Sequence, residues 1–348
     1  MREIKAAVVG LGWVSGAHIE TLKQTKGVRL SAVCSQRNPS SAEVETQYGL
    51  PLKVYADYQQ VLADPDIDMV SLCTRNPLHA EQAIAAIKAG KHVYIEKPIA
   101  LNLEDCRRIR DEAQRHPKVC ICVGFECRFS QQVTLLRQVL DKGLIGEIHY
   151  AEVDYYHGIG PWYGQFPWSC RKDGGGSALL SGGCHALDAL LLLMGDTRVT
   201  EVSSYETKSK AACFQDYEYN PCSVSILKFA DGKLGKVTAS IDCLQPYYFH
   251  FQLLGSKGSI LDNKFYSTEL SGLNPNKWSQ LETILLDSGD VVDHPYQPQF
   301  QHFIAAIQNQ QPMPLTGIEE AYRSHLLCYA AEKSAIAGRT IQISELEA

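Results

Sequence analysis

The feature that most constrains this chain is an apolar strand that runs straight into a glycine turn and then a helix. Residues 4–9 form a β-rich run that ends in Gly10-Leu11-Gly12-Trp13-Val14-Ser15-Gly16, and residues 17–23 have helical character. The alternation continues along the first third of the chain. Strands are expected at 30–34, 69–73, 92–95 and 119–123, and helices at 57–62, 79–90 and 103–115. A repeated βα order implies a doubly wound parallel sheet, whose ligands sit beyond the carboxyl ends of its strands.

At 348 residues the chain exceeds one ordinary core, so two domains are expected, 1–124 and 125–348. The formal charge of -6 supplies no basic field for a phosphate backbone, and a nucleic-acid partner is not expected. Residues 178–194 come nearest to a membrane span, but Ser181, His185 and Asp188 interrupt them. The apolar stretch at the start is too short for a signal-peptide core. No membrane partner and a cytoplasmic location are therefore expected. The twelve cysteines lack the Cys-x-x-Cys spacing of zinc or redox sites, so no metal is expected, and Cys120 and Cys122 read as two positions on one face of a buried strand.

The glycine turn suits a pyrophosphate. Gly10 permits the bend, Gly12 allows close backbone approach, and the following helix offers unpaired N–H groups, with Ser15 in place of a third glycine. Trp13 and Val14 complete this cofactor loop. After the second strand, where an acidic residue would bind a ribose 2′-hydroxyl, the chain reads Ser35-Gln36-Arg37. No carboxylate opposes a 2′-phosphate there and Arg37 can pair with one, so NADP is favoured over NAD. The plainer reading of Arg37 is a solvated loop charge. Other strand ends carry Thr74, Asn76 and His79, Glu96 and Lys97, and Gly124 to Glu126, all expected to line one crevice. Lys97 is the most informative, because a partly desolvated lysine near a nicotinamide can donate or accept a proton.

From residue 147 the pattern changes to strands at 147–156, 199–206, 222–229, 236–243, 249–255, 259–263 and 281–286, with a hairpin signal at Asp231-Gly232. The fold class is thus α/β: an N-terminal Rossmann doubly wound parallel sheet plus a C-terminal α+β domain with a large, mostly antiparallel open sheet. An open face needs cover, and a homodimer or homotetramer through that sheet would supply it. A helix from residue 179 would carry Ser181, His185 and Asp188 on one face, beside glycines that allow close approach of a backbone or a ligand. The Gly/Pro-rich loop 154–168 holds Tyr156, Trp162 and Trp168 among its aromatics, suited either to a sugar ring or to an oligomer contact.

Gly10-x-Gly12, Glu96-Lys97-Pro98, Gly124-Phe125 with Arg128-Phe129, Gly174-Gly175-Gly176 and Gly183-x-His185-x-x-Asp188 together resemble the Gfo/Idh/MocA oxidoreductases over nearly the whole chain. The resemblance implies reversible hydride transfer between nicotinamide C4 and a carbinol carbon of a sugar, cyclitol or related polyol. It assigns the hydroxyl proton to Lys97 and His185, and the expected substrate contacts are Lys97, Arg128, Tyr156, Trp162, Trp168, Ser181 and His185. An aspartate commonly stands four residues before that histidine. Ser181 here can hydrogen-bond but brings no charge, which shifts proton transfer toward Lys97. Two alternatives stand beside this reading: a glycoside hydrolase using retained NAD(P) in an oxidation–elimination cycle, for which Tyr155, Tyr156 or His157 could supply the additional base, and a non-catalytic NAD(P)-binding sensor.

Overall fold

The computed structural model describes residues 2–286 and 289–347. The chain divides into two compact units, one made of 1–126 with 295–323 and the other of 127–294 with 324–348. The return of 295–323 to the first unit is not contained in a division at residue 124.

In the first unit the expected βα alternation is present: β1 (Ile4–Val9), α1 (Ser15–Gln24), β2 (Val28–Cys34), α2 (Ser41–Tyr48), β3 (Lys53–Tyr55), α3 (Tyr58–Ala63), β4 (Met69–Leu72), α4 (His79–Lys88), β5 (His92–Ile95), α5 (Leu103–Arg115) and β6 (Ile121–Val123). The six strands form one sheet in the order β3-β2-β1-β4-β5-β6, and every pairing is parallel. The strand order reverses between β1 and β4, and that switch point is where open α/β sheets place ligands. The sequence pattern omitted α2 and β3. It also omitted the helix Tyr296–Asn309, which belongs to this unit and packs on α1.

The second unit contains α6 (Gln131–Asp141), β7 (Ile148–Tyr156), α7 (Phe166–Ser169), α8 (Cys184–Met194), β8 (Val199–Thr207), β9 (Cys222–Phe229), β10 (Leu234–Ser240), β11 (Tyr248–Gly255), β12 (Gly258–Leu261), β13 (Lys264–Ser267), β14 (Ser279–Gln280) and β15 (Ile341–Gln342). They form a nine-stranded sheet, order β14-β13-β12-β11-β7-β10-β9-β8-β15, antiparallel apart from the β7–β10 pair. One expected strand is corrected. Residues 281–286 have no regular structure. Asp262 adopts a positive φ of 54° and turns the chain, so the added strand is β13, hydrogen-bonded back to β12. Beyond the two-residue β14 the apolar residues of 281–286 have no strand to join, and Ile284 is exposed.

Alternation along β7 sorts its side chains. Ala151, Val153 and Tyr155 are buried, whereas Tyr150, Glu152, Asp154 and Tyr156 point to the other face. Helix α8 packs on β7 and β10 from the buried side. A π-turn, Leu179–Gly183, precedes it, and its glycines are there for packing. A Cβ on Gly182 would lie 2.6 Å from the Tyr155 ring, and one on Gly183 would lie 2.2 Å from Ala239 Cβ. The close approach read from these glycines is therefore made by the sheet itself.

In the first unit a buried charge pair ties α1 to the end of β5. His18 is fully buried; its Nε2 lies 2.9 Å from Glu96 Oε1 and its Nδ1 lies 2.7 Å from Ser71 Oγ. Tyr94, Tyr296 and Phe300 surround the imidazole with centroids 4.8–5.3 Å away. Burial opposes charge on His18, but Cys73 and Glu96 outweigh it and raise its pKa above the ordinary imidazole value. Burial likewise pushes Glu96 upward, yet the hydrogen bond and charge of His18 hold the carboxyl below its usual range. Glu96 thus contributes stability above about pH 4.5, lost as pH falls through its depressed pKa; His18 contributes fully below about pH 6.5, lost as pH rises toward about 10. His18→Gln, which leaves Glu96 uncompensated, is expected to cost about 3–5 kcal/mol at pH 6 by urea unfolding. The deficit should shrink as the pH is raised toward 9, and a deficit independent of pH would show that His18 is neutral in the folded protein.

Candidate active site

The glycine turn is built from three strand ends of the first unit. Gly10 has φ +90°, its N–H donates to Cys34 O at 2.8 Å, and a Cβ there would lie 2.7 Å from Cys73 O. Only glycine fits. Around Gly12 and Gly16 the space is open: the nearest atom to a Cβ on Gly12 is 3.7 Å away, and a Cβ on Gly16 would meet nothing within 4 Å. Helix α1 begins without a side-chain cap, so its first N–H groups are free of a capping oxygen. Ser15 is buried and its Oγ donates to Gly12 O at 2.7 Å, which locks the turn onto the helix. A cradle of open glycines at an uncapped helix N-terminus fits a dinucleotide pyrophosphate. Trp13 is exposed on this turn and Val14 is half-buried.

Past β2, Ser35 is buried and its Oγ accepts from the Arg37 N–H at 3.3 Å. The Arg37 guanidinium donates to Leu11 O in the glycine turn. Arg37 is exposed, and its guanidinium lies against the loop. At the end of β4, Thr74 Oγ1 donates to Gln82 Oε1 at 2.6 Å, and Asn76 is half-buried at the start of a short 3-10 turn.

Two residues expected at the cofactor are buried. His79 is 1% exposed, with its ring nitrogens 2.8 Å from Pro98 O and 3.0 Å from Thr74 O, so it holds two loops in place. Glu96 is buried against His18; its Oε2 accepts the Lys97 N–H at 3.2 Å. Gly124 closes the other side, because a Cβ there would come within 3.0 Å of the Glu96 carboxylate. Lys97 itself is partly exposed at the end of β5, ahead of a cis bond to Pro98.

In the second unit His185 is 2% exposed in the first turn of α8, its ring stacked on Tyr155 at 6.3 Å between centroids. The sequence names Tyr155 only with Tyr156 and His157, as a candidate base for the elimination alternative; the parity of Ala151 and Val153 places it on the buried face. Tyr156, expected at the substrate, lies on the opposite face, stacked on Tyr248 at 6.2 Å and donating to Asp154 at 3.2 Å. Arg128 is also corrected. Its guanidinium is buried and bidentate to Asp188, at 2.5 and 2.7 Å, and Ser324 Oγ donates to Asp188 at 2.6 Å. A fork of this kind fixes the axial rotation of α8, and so aims His185, rather than presenting a charge to substrate.

The remaining expected contacts are placed as follows. Ser181 is half-buried in the π-turn, its N–H donating to Ser177 O at 2.9 Å. Trp168, half-buried in α7, packs against Gly174, and Trp162 is exposed on the preceding loop. That loop also holds His157 between two hydroxyls, with Tyr155 Oη at 3.1 Å from Nδ1 and Tyr163 Oη at 2.6 Å from Nε2. His157 and Tyr163 carried no spacing signal, because loop residues follow no period.

Residues 4–125 match the family described as "Oxidoreductase family, NAD-binding Rossmann fold", and residues 133–261 match "GFO/IDH/MocA C-terminal domain". Myo-inositol 2-dehydrogenase of Thermotoga maritima is 27% identical over 350 residues, covering 99% of both chains. D-glucoside 3-dehydrogenase of Escherichia coli is 29% identical over 228 residues, 64% of each chain. Among solved structures, levoglucosan dehydrogenase in complex with NADH and L-sorbose superposes with a TM-score of 0.85 at 21% identity, covering 99% of each chain. With both halves matched to one family, and the glycine cradle and Glu96-Lys97-Pro98 loop built as described, the chain belongs to the Gfo/Idh/MocA oxidoreductases.

Proposed function

We propose that this protein is an NAD(P)-dependent dehydrogenase or reductase acting on a CH–OH group of a sugar, cyclitol or related polyol. The observation that carries the reading is the Glu96-Lys97 loop, whose carboxylate is neutralised internally by His18 while the lysine stays partly exposed at the ligand-binding end of a parallel sheet. The names of the relatives, an inositol and a glucoside dehydrogenase, support the same substrate class. The bound nicotinamide would supply a hydride acceptor at C4. The glycine turn and the N-terminus of α1 would hold its pyrophosphate, with Ser35, Arg37, Thr74 and Asn76 disposed around the strand ends. Lys97 takes or returns the hydroxyl proton as the carbinol is oxidised or the ketone reduced; His185 is proposed as a second proton-handling residue. Ser181, in the turn ahead of His185, supplies hydrogen bonding without charge.

NADP is proposed over NAD because Arg37 lies over the glycine turn with no carboxylate among residues 34–37 to repel a 2′-phosphate. A homodimer or homotetramer is proposed through the open face of the nine-stranded sheet. Tyr205, Val224, Ile226, Leu234 and Tyr248 are exposed apolar side chains on its strands. The charges on the same face are largely neutralised within it, since Lys236 lies 2.7 Å from Glu152 and 2.8 Å from Asp154, which lowers the cost of covering them. The cytoplasm is the proposed location; among the described residues no helix is long and apolar enough to cross a membrane.

Lys97→Ala is expected to keep cofactor affinity and lose at least about a hundredfold in kcat on any accepted polyol; near-normal turnover would remove Lys97 from proton transfer. Arg37→Ala should weaken NADP by about tenfold or more and NAD by less, read by fluorescence titration; equal losses would refute the cofactor preference. Ile226→Glu, placing a charge amid the exposed apolar side chains, should shift sedimentation at micromolar concentration toward monomer, and an unchanged assembly would locate the interface elsewhere.

A further inference from the structure

On the open face of the nine-stranded sheet, three neighbouring strands carry one connected set of charges. Lys236 on β10 lies 2.7 Å from Glu152 and 2.8 Å from Asp154 on β7, and the strand register sets His250 on β11 directly across from Asp154. His250 Nδ1 is 2.9 Å from Asp262 Oδ1, while Tyr248 Oη donates to Asp262 Oδ2 at 2.7 Å. An imidazole nitrogen of His250 and carboxylate oxygens of Glu152 and Asp154 lie within 4.8 Å of one another. The Lys236 ammonium reaches both of those carboxylates, so the chain supplies their cation itself.

The acidic side chains are held by partners other than His250. Asp154 Oδ1 accepts from the Thr238 N–H at 2.6 Å, Asp262 Oδ1 accepts from the Phe251 N–H at 3.0 Å, and the hydroxyls of Tyr150 and Tyr156 donate to Glu152 and Asp154. The cluster also adjoins the exposed apolar side chains of the face, because Lys236 pairs in register with Ile226 and Thr238 with Val224. A partner that covers those apolar groups must cover the charges beside them.

With His250 neutral, the cluster sets one cation, Lys236, against the three carboxylates of Glu152, Asp154 and Asp262, a net charge of -2; a proton on His250 reduces it to -1. Tyr150, Tyr156 and Tyr248 add no charge, since burial pushes their hydroxyls up. Burial opposes charge on His250 as well, but the hydrogen bond and charge of Asp262, with Asp154 and Glu152 behind it, outweigh burial and raise its pKa above the ordinary imidazole value. A second copy laid on this face takes water away from both clusters, and like charges repel more strongly where the dielectric is low.

We propose that His250 is a proton-operated switch for subunit assembly: protonated, it lets the open faces of two copies close on each other, and neutral, it leaves negative charge that holds them apart. The proposal rests on the assembly reading above and names its regulation. The stabilising proton is fully present below about pH 6.5 and is lost as pH rises through the raised pKa of His250, so assembly is tightest on the acid side.

Fluorescence-detected sedimentation of the full chain, from nanomolar to micromolar protein, tests this. The association step that Ile226→Glu removes should weaken by at least about tenfold between about pH 6 and about pH 9.5. His250→Gln is expected to be weak throughout, like the wild type at high pH. Asp262→Asn keeps an oxygen for the Phe251 N–H but removes one carboxylate, so at high pH it should assemble about as tightly as the wild type does at low pH. Misfolding cannot produce both results, because the two substitutions are expected to move assembly in opposite directions. Association independent of pH, including an assembly intact at every pH and dilution, overturns the switch. So does pH dependence that survives His250→Gln, or an Asp262→Asn protein no tighter than the wild type at high pH. An assembly that Ile226→Glu dissociates but pH does not affect defeats the switch alone. A protein monomeric at every pH, or one that Ile226→Glu leaves assembled, defeats the interface and the switch with it.

Discussion

The contact between His18 and Glu96 organises the first unit. It joins the helix that follows the glycine turn to the strand end that carries Lys97, and it does so through two charges with almost no access to water. Charges buried to this degree are tolerated only when paired and hydrogen-bonded. The surroundings meet that demand: Ser71 takes the second ring nitrogen, three aromatic rings enclose the imidazole, and the Lys97 N–H meets the other carboxylate oxygen. The helix after the glycine turn and the Glu96-Lys97 loop are consequently tied by one interaction, and separating them would unpair a buried charge.

The second unit solves its own version of this problem. His185 sits in a helix whose apolar residues would pack in several rotations about the helix axis. The Arg128 fork on Asp188 admits one, and the glycines at 182 and 183 let the π-turn sink onto Tyr155 and Ala239. The charge of Asp188 thus serves to orient the helix.

Part of this was legible in the sequence because period and turn chemistry are local. Five of the six strands of the parallel sheet, the glycine turn and the positions of Lys97 and His185 follow from apolar runs bounded by glycine, proline and polar residues. The choice between Tyr155 and Tyr156 was also within reach, since Ala151 and Val153 fix the parity of β7. Arg128 and Asp188 were visible as motif residues, but their partnership was not. Sixty positions separate them, and an arginine that binds a carboxylate of the same protein has no sequence mark to distinguish it from one that binds a ligand.

What the sequence by itself determined is the class of the fold and the identity of its polar strand ends, because backbone geometry and hydrophobic period act over a few residues. What only the tertiary structure decided is which polar groups are spent on one another. His18 is paired with Glu96, His79 with the carbonyl oxygens of Thr74 and Pro98, and Arg128 with Asp188, which also accepts from Ser324. The physical reason is that a buried polar group must find a partner, and the partner is chosen by the packing of elements rather than by the order of residues.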